Sequence, residues 1–539
     1  MFGLDSSAEV ARLRRELGEL REQLAVAEQR AARAESEVAK LREENHALRE
    51  EKQALRDELA QLKGQKGKPK VPPSGLPRDP KRKGGRRGSH RKRGSEPPVP
   101  TRTEILPAAD VPVGSRFKGY ANYRVQELVL RSELVRYRIA KWLTPEGRLI
   151  TGQLPAGLQG GHFGPTLRRF VLYQYYHAHV TEPLLSEELH EWGVVISSGQ
   201  LHRMITEGQD QFHQEKDEIL RVGLRVSGHI HTDDTGARHQ GKNGYCTHIG
   251  NDWFAWFQST ESKSRLNFLN LLRAGATDYV LRAEVWDYLA TQKLPKAILN
   301  LLMASGVQTF ADATAWSEAL EKWGIQRPHH VQIVTEGALL GAALEHGLNP
   351  KLAVMSDDAG QFNVLCHLLC WIHAERVLAK LVGFNPEQRA ALDQVRAQVW
   401  ELYRDLKIYS AAPTSVPKDA LESRFDALCA TKTCFTSLNL ALVRMSKNKS
   451  ELLRVLERPG LPLHNNLSEG DIREYVKRRK VSGGTRSEAG RRGRDTFASL
   501  KKTCRKLGVS FWNYLGDRLL GGNLIPPLPQ LIEARAQSS

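Results

Sequence analysis

From Val10 to Leu62 one seam repeats without interruption: Val10, Leu17, Leu24, Ala31, Val38, Asn45, Lys52 and Leu59 alternate with Leu13, Leu20, Ala27, Ala34, Leu41, Leu48, Leu55 and Leu62. A period near 3.5 residues is incompatible with a strand, and on a lone helix it leaves an apolar stripe in water. Ser6 with Glu9 supplies a capping-box start, and Gly64, Gly67 and Pro69 end the helix. Residues 5–63 are therefore expected to form a coiled-coil dimerisation helix, making the protein a homodimer. Asn45 and Lys52 in the seam favour a two-stranded parallel register. A long solvated helix packed on its own chain is the alternative.

Composition changes abruptly after Gly64. The run GQKGKPKVPPSGLPRDPKRKGGRRGSHRKRG has too little apolar surface to fold, which predicts a disordered basic linker over residues 64–103. The whole chain carries 79 Lys and Arg against 61 Asp and Glu, a formal charge of +18, with the cations in runs. Such runs favour a polyanionic partner, nucleic acid first, although a basic tail also serves solubility or membrane-surface attraction. No stretch approaches the roughly eighteen apolar residues of a membrane span, and MFGLDSSAEV lacks an apolar signal core. The expectation is a cytoplasmic protein without a membrane partner. Six cysteines, without the spacing of a disulfide framework, fit reduced thiols.

A chain of 539 residues predicts roughly three or four units. Alternation in YRVQELVLRSELVRYRIAKWLTPEGRLITGQLP, with PEG as a turn, predicts a small β module over residues 104–155. Residues 156–222 read as helical, and EPLLSEELHEWG followed by SSGQLHRMITEG has the spacing of a helix-turn-helix. That arrangement offers Gln200, His202 and Arg203 to DNA, but helical pairs with short turns are equally ordinary bundle parts.

The segment 223–480 carries the chemistry. LRVSGHIHTDD alternates towards Asp233, and GYCTHIGNDWFAWFQST supplies two further strand patterns. PKLAVMSDD is a short apolar strand delivering Asp357 to its C-terminal end, where open α/β sheets place their sites. Glu469 lies in a helical pattern with Asn466 and Arg473 on its side. Asp234 and Asp358 follow the two chosen aspartates and point to the opposite face of a strand. Hard carboxylate oxygens gathered from separate segments suit two Mg2+ or Mn2+ ions roughly 3.5–4 Å apart for phosphoryl transfer. Cys366, Cys370 and His373 fall on one side of a predicted helix, but their spacing matches no strong zinc pattern and no zinc is expected. Helical insertions are expected at about 274–349 and 375–460, and residues 481–539 read as a basic helical tail. Arg473, Lys477, Arg478, Arg479, Lys480, Arg491 and Arg492, with Asn466, are the residues expected to touch DNA.

HTDDTGAR, MSDDAGQF with CWIHAERVL, and HNNLSEGDIR occur in an order that resembles the insertion-sequence-66 family of DDE transposases. The tail GGTRSEAGRRGRDTFASLKKTCRKLGVSFWNYL resembles that family's end, so the likeness covers roughly residues 160–520. The resemblance implies an α/β, ribonuclease-H-like catalytic core, with Asp233, Asp357 and Glu469 as catalytic metal-binding triad. Asn466 and Arg473 match neighbours that orient the carboxylate or hold phosphate. The implied activity is cleavage of transposon terminal inverted repeats to 3′-hydroxyls and their joining to target DNA, in a nucleoid-associated bacterial protein with room for small accessory transposition proteins. Two features depart from the family: no cysteine precedes Cys246, where relatives carry a four-cysteine module, and an extra segment separates the two aspartates. A catalytically inactive DNA-binding relative and a metal-dependent nuclease without strand transfer remain the alternatives.

Overall fold

The computed structural model describes residues 102–109, 111–155, 158, 161–413 and 416–538. The predicted coiled coil and all of the predicted linker before Arg102 lie outside the described residues. The chain divides into two units, up to Gln126 and from Glu127. In the first, the described residues adopt no regular element; a Ser115 hydroxyl donating to Pro112 O at 2.7 Å and an edge-on Phe117–Tyr120 pair give it local order.

The second unit opens with a short antiparallel hairpin, β1 (Lys141–Leu143) and β2 (Leu149–Thr151), turned through Pro145–Gly147. The strands predicted between Glu127 and Ala140 are absent, and Leu128 and Leu134 stand exposed there. A two-stranded ribbon with no second layer has nothing to recruit further strands. Helices α1 (Pro165–Leu172), α2 (Glu182–Glu191), α3 (Ser198–Thr206) and α4 (Asp210–Val226) follow. A π-helical turn over Tyr173–Ala178 joins the first pair, and Ser197 with Gln200 forms a full capping box for α3.

Next comes a five-stranded mixed sheet, so the unit is mixed α/β. Strands β3 (His229–His239), β4 (Lys242–Gly250) and β5 (Ala255–Thr260) fall where the three strand patterns predict, with β4 antiparallel to both β3 and β5. After α5 (Arg265–Leu272) the chain leaves the sheet for a helical excursion: β6 (Tyr279–Leu281), α6 (Trp286–Thr291), α7 (Lys296–Ala304), β7 (Gln308–Phe310), α8 (Ala313–Lys322) and α9 (Pro328–Glu345). It has its own core, in which Trp316, Leu320, Ile333 and Val334 meet. The chain returns as β8 (Ala353–Ser356), parallel to β3, and β9 (Cys366–Leu369), parallel to β8, giving the order β5-β4-β3-β8-β9. A second excursion contains α10 (Trp371–Ala379), α11 (Pro386–Ala411), α12 (Lys418–Ala430), α13 (Thr436–Lys447) and α14 (Lys449–Leu452), packed around Leu402, Leu406, Phe425 and Leu438. Its ends meet: Trp371 N–H donates to Leu463 O at 3.0 Å, and the Trp371 indole to Leu452 O at 2.8 Å.

Helices α15 (Asn466–Ser482) and α16 (Glu488–Leu507) then cover the sheet, followed by α17 (Phe511–Leu520) and α18 (Leu528–Gln537). The α15–α16 turn needs its two glycines. Gly483 has φ +66°, and a Cβ on Gly484 would stand 2.5 Å from Arg238 O, where Thr485 N–H donates to that same carbonyl. Strand β5 is an edge, and its outward N–H groups at Ala255, Phe257 and Ser259 are taken by Thr503, Ser499 and Asp495 of α16 at 3.2, 2.9 and 2.7 Å. Two residues along a strand advance ~6.7 Å and four along a helix ~6 Å, so acceptors spaced every fourth residue match that ladder. Among the described residues no helix is long and apolar enough to cross a membrane.

Candidate active site

The parallel register of β3 and β8 pairs His229 with Ala353, Ile230 with Val354 and His231 with Met355. Two residues beyond the last pair on each strand stand Asp233 and Asp357. Alternation places Asp233 on the face shared by His231 and by His248, its cross-strand neighbour on β4. Asp234 turns the other way, where one oxygen accepts from Thr247 Oγ1 at 2.6 Å and the other from Gln361 Nε2 at 3.1 Å. Asp358 is drawn to Arg444 of α13, whose Nε donates to it at 2.8 Å. Asp234 thus has both oxygens engaged by side chains and Asp358 one, whereas Asp233 and Asp357 accept from the nearby backbone N–H groups of Asp234 and Ala359 at 2.8 and 3.2 Å.

Helix α15 brings the third carboxylate, and polar contacts set its position. Asn465 precedes the helix, fully buried; its Nδ2 donates to Thr232 O at 2.8 Å, its Oδ1 accepts from His231 Nδ1 at 3.0 Å, and its backbone N–H donates to Cys370 Sγ at 3.2 Å. One side chain therefore ties the residue before Asp233 to the turn that starts α15. One turn on, Ser468 Oγ lies 2.7 Å from His248 Nδ1, while His248 Nε2 lies 3.2 Å from Asp471. Lys506 and Lys502 of α16 close on the same carboxylate at 2.8 and 3.4 Å. Burial alone would raise Asp471, but His248 and then Lys506 hold it well below the usual carboxylate range. Ser468, His248 and Asp471 form a buried chain that reaches no solvent, so it seats the helix.

Glu469 sits between those anchors. Asp233 is pushed up to about 7, mainly by burial, with the charges of Asp357, Asp234 and Glu469 adding to the rise and the Asp234 N–H opposing it. Glu469 itself is held below its ordinary value: burial acts upward, but Arg376 of α10, then His373 and Arg473, outweigh it. Arg376 Nη1 donates to Glu469 Oε1 at 2.7 Å and Nη2 to Oε2 at 3.3 Å; His373 Nε2 is 3.4 Å from Oε1. The predicted helix joining Cys366, Cys370 and His373 is corrected by this arrangement. Cys366 lies on β9 because its run pairs with buried β8, and only Cys370 and His373 flank the start of α10. Among the described residues no group of three or more His, Cys, Asp or Glu side chains stands ready to hold a metal ion. The donor set nevertheless suits a hard dication: Asp233, Asp357 and Glu469 offer the oxygen ligands such ions take, and a positive charge among them would offset the charges that add to the rise at Asp233.

The predicted DNA-contacting residues separate. Arg473, Lys477 and Lys480 form an exposed stripe along α15, and Arg492 is exposed on α16. Asn466 is half-buried and Arg491 is paired with Glu488 at 2.8 Å. Arg479 donates to Thr235 Oγ1 at 3.2 Å and to Gly236 O. Arg478 is only 5% exposed, stacks on Tyr175 at 3.9 Å and donates to Tyr175 O and Val180 O, which suits a helix anchor and not a phosphate contact. Of the earlier helical pair, Gln200 is used in the α3 cap and His202 pairs with Glu182 at 3.1 Å. Asn465, His248, Asp471 and Arg376 escaped the sequence reading. Asn465 had a signal, as the first of two adjacent asparagines, whereas His248 had none, since its partners lie more than two hundred residues away.

Residues 352–492 match the family described as Transposase IS66 family. An uncharacterized protein of Sinorhizobium fredii, y4jO, is 43% identical over 321 residues, which are 59% of this chain and the whole of that protein.

Proposed function

This chain belongs to the Transposase IS66 family, and from that membership we propose that it cleaves the ends of a transposon and joins them to target DNA, with Asp233, Asp357 and Glu469 as its metal-binding triad. The observation that carries the reading is the parallel register of β3 and β8, which stands Asp233 and Asp357 each two residues beyond the last paired position, beside a helix seated by Asn465 and His248 so that the Glu469 charge is felt at Asp233. Three antiparallel strands continued by two parallel ones support a ribonuclease-H-like core. Asp233, Asp357 and Glu469 would hold Mg2+ or Mn2+, two ions in our reading, which polarise the phosphate, activate water or a 3′-hydroxyl and stabilise the departing oxygen.

The chain's own residues do the rest. The half-buried setting of the carboxylates limits the water around them, and the anchors around α15 fix Glu469 relative to the strands, so little rearrangement is left for the reacting state. Arg473, Lys477 and Lys480 line the outer side of the same helix at steps that follow a DNA backbone. Cleavage exchanges a phosphodiester for a 3′-hydroxyl and a 5′-phosphate; joining exchanges a target phosphodiester for a new one, with no covalent protein intermediate. We further propose that residues 5–63 dimerise the chain and residues 64–103 add phosphate contacts. Small accessory proteins and a nucleoid location belong to the same reading.

The test is a Mg2+- or Mn2+-dependent cleavage and strand-transfer assay on the DNA flanking this gene, comparing the native chain with Glu469→Gln. Products joined to target from the native protein alone support the proposal. Cleavage without joining of a pre-cut 3′-hydroxyl end would assign a nuclease, and specific DNA binding with no product from either protein would assign an inactive relative.

A further inference from the structure

The triad's glutamate already has a cation on it. Arg376 grips both Glu469 oxygens in a forked contact, at 2.7 and 3.3 Å, and its side chain remains 45% exposed. Forked guanidinium–carboxylate pairs are directional and occupy the lone pairs that an incoming metal ion would use. A guanidinium so placed also repels a dication electrostatically. Arg376 rises from α10, which begins directly after β9, the neighbour of the strand that leads to Asp357, so it belongs to the rim of the site.

We propose that Arg376 is a latch: in the DNA-free protein it holds Glu469 away from metal, and on binding DNA it exchanges the carboxylate for a backbone phosphate, releasing Glu469 to complete the metal site. This rests on the reading of Glu469 as a metal ligand. The exchange is chemically even, one bidentate oxyanion for another, and the exposed guanidinium reaches solvent without repacking a core. Glu469 is not left bare, since His373 and Arg473 stay at 3.4 and 3.9 Å. DNA and metal then bind with positive coupling, each removing an obstacle to the other.

Mn2+ titration of the full-length protein by calorimetry, without DNA, tests the latch in Arg376→Gln, Arg376→Lys and the double variant Arg376→Gln with Glu469→Gln. Arg376→Gln should bind Mn2+ about tenfold more tightly than the native chain, with Arg376→Lys between them because it keeps the charge and loses the fork. A purely structural Arg376 that orients Glu469 predicts the opposite sign, weaker Mn2+ binding in Arg376→Gln, and that result or no change overturns the latch. Glu469→Gln separates the two proposals when added to Arg376→Gln: if the double variant keeps the Mn2+ affinity of Arg376→Gln, Glu469 is no ligand and the triad reading itself fails, whereas a loss there with no gain in Arg376→Gln over the native chain removes only the latch. The phosphate half is read from the salt dependence of binding to a duplex of the flanking DNA. Arg376→Gln should lower the slope by about one relative to the native chain, with Mn2+ present and without it. Equal slopes in the native chain and Arg376→Gln would overturn the exchange.

Discussion

Two acidic clusters lie on the same sheet face within one helix turn of each other, and they are built on opposite terms. Around Asp471 the fold supplies its own cations: His248, Lys502 and Lys506 converge on one carboxylate and hold it ionised although it is almost out of water. Around Asp233, burial first and then the charges of further acids, Asp357, Asp234 and Glu469, drive the carboxyl up to about 7. The fold that neutralises Asp471 so thoroughly sets further acids against Asp233, a pattern that marks a candidate functional cluster beside a structural one.

The sharpest way to break this contrast is by function. Replacing Asp233, Asp357 or Glu469 with Ala should cut strand cleavage by on the order of 10³-fold or more while leaving the melting temperature near native, because each removes charge stabilisation needed in the reacting state. Asp471→Ala should do the reverse, lowering stability by about 3–5 kcal/mol in urea denaturation, since it strands a buried histidine and two lysines. A mild loss there would mean that the lysines find water.

The two clusters should also respond oppositely to pH. With a chelator present, the Asp233 contribution favours the fold below its ordinary pKa near 3.8 and is lost as pH rises towards about 7. Asp471, held low, contributes above 3.8 and loses that contribution as pH falls. Asp233→Asn should therefore flatten the decline in stability between about pH 4 and 7, and Asp471→Asn should flatten the acid limb below about pH 4; thermal melts across pH read both, and identical profiles in the two variants would refute the contrast. The smallest effect is expected from Ser468→Ala, about 1 kcal/mol, as His248 keeps Asp471 but loses its hydroxyl partner.

Much of this was legible in the chain. Alternation towards HTDD, the apolar run before SDD and the three-and-four spacing around Glu469 reflect local periodicity, and the strands and helix fall where it puts them. Cys366–Leu369 misled because a short buried strand and a buried helix segment share the same apolar pattern, and pairing with β8 decides between them. The basic run from Lys477 to Lys506 misled in part for a similar reason: charge in a sequence suggests solvent, yet Arg478, Lys501 and Lys502 are buried against acids and carbonyls contributed from far away. Nothing local marks such partners. Arg376 stood inside a motif singled out for its cysteine and histidine, and only the folded chain brings it to Glu469, ninety-three positions on.

The long helical excursion between β9 and α15 closes on itself where Trp371 meets Leu463 and Asn465 meets Cys370. A loop whose two ends are fastened together is, to the rest of the molecule, a cassette. Beyond α10, which carries His373 and Arg376, its contents are free to lengthen, shorten or be exchanged between lineages without relocating the glutamate that follows it, so diversification should concentrate there while α10 and the clasp residues stay constant. A protein engineer gains the same freedom between the end of α10 and Leu463.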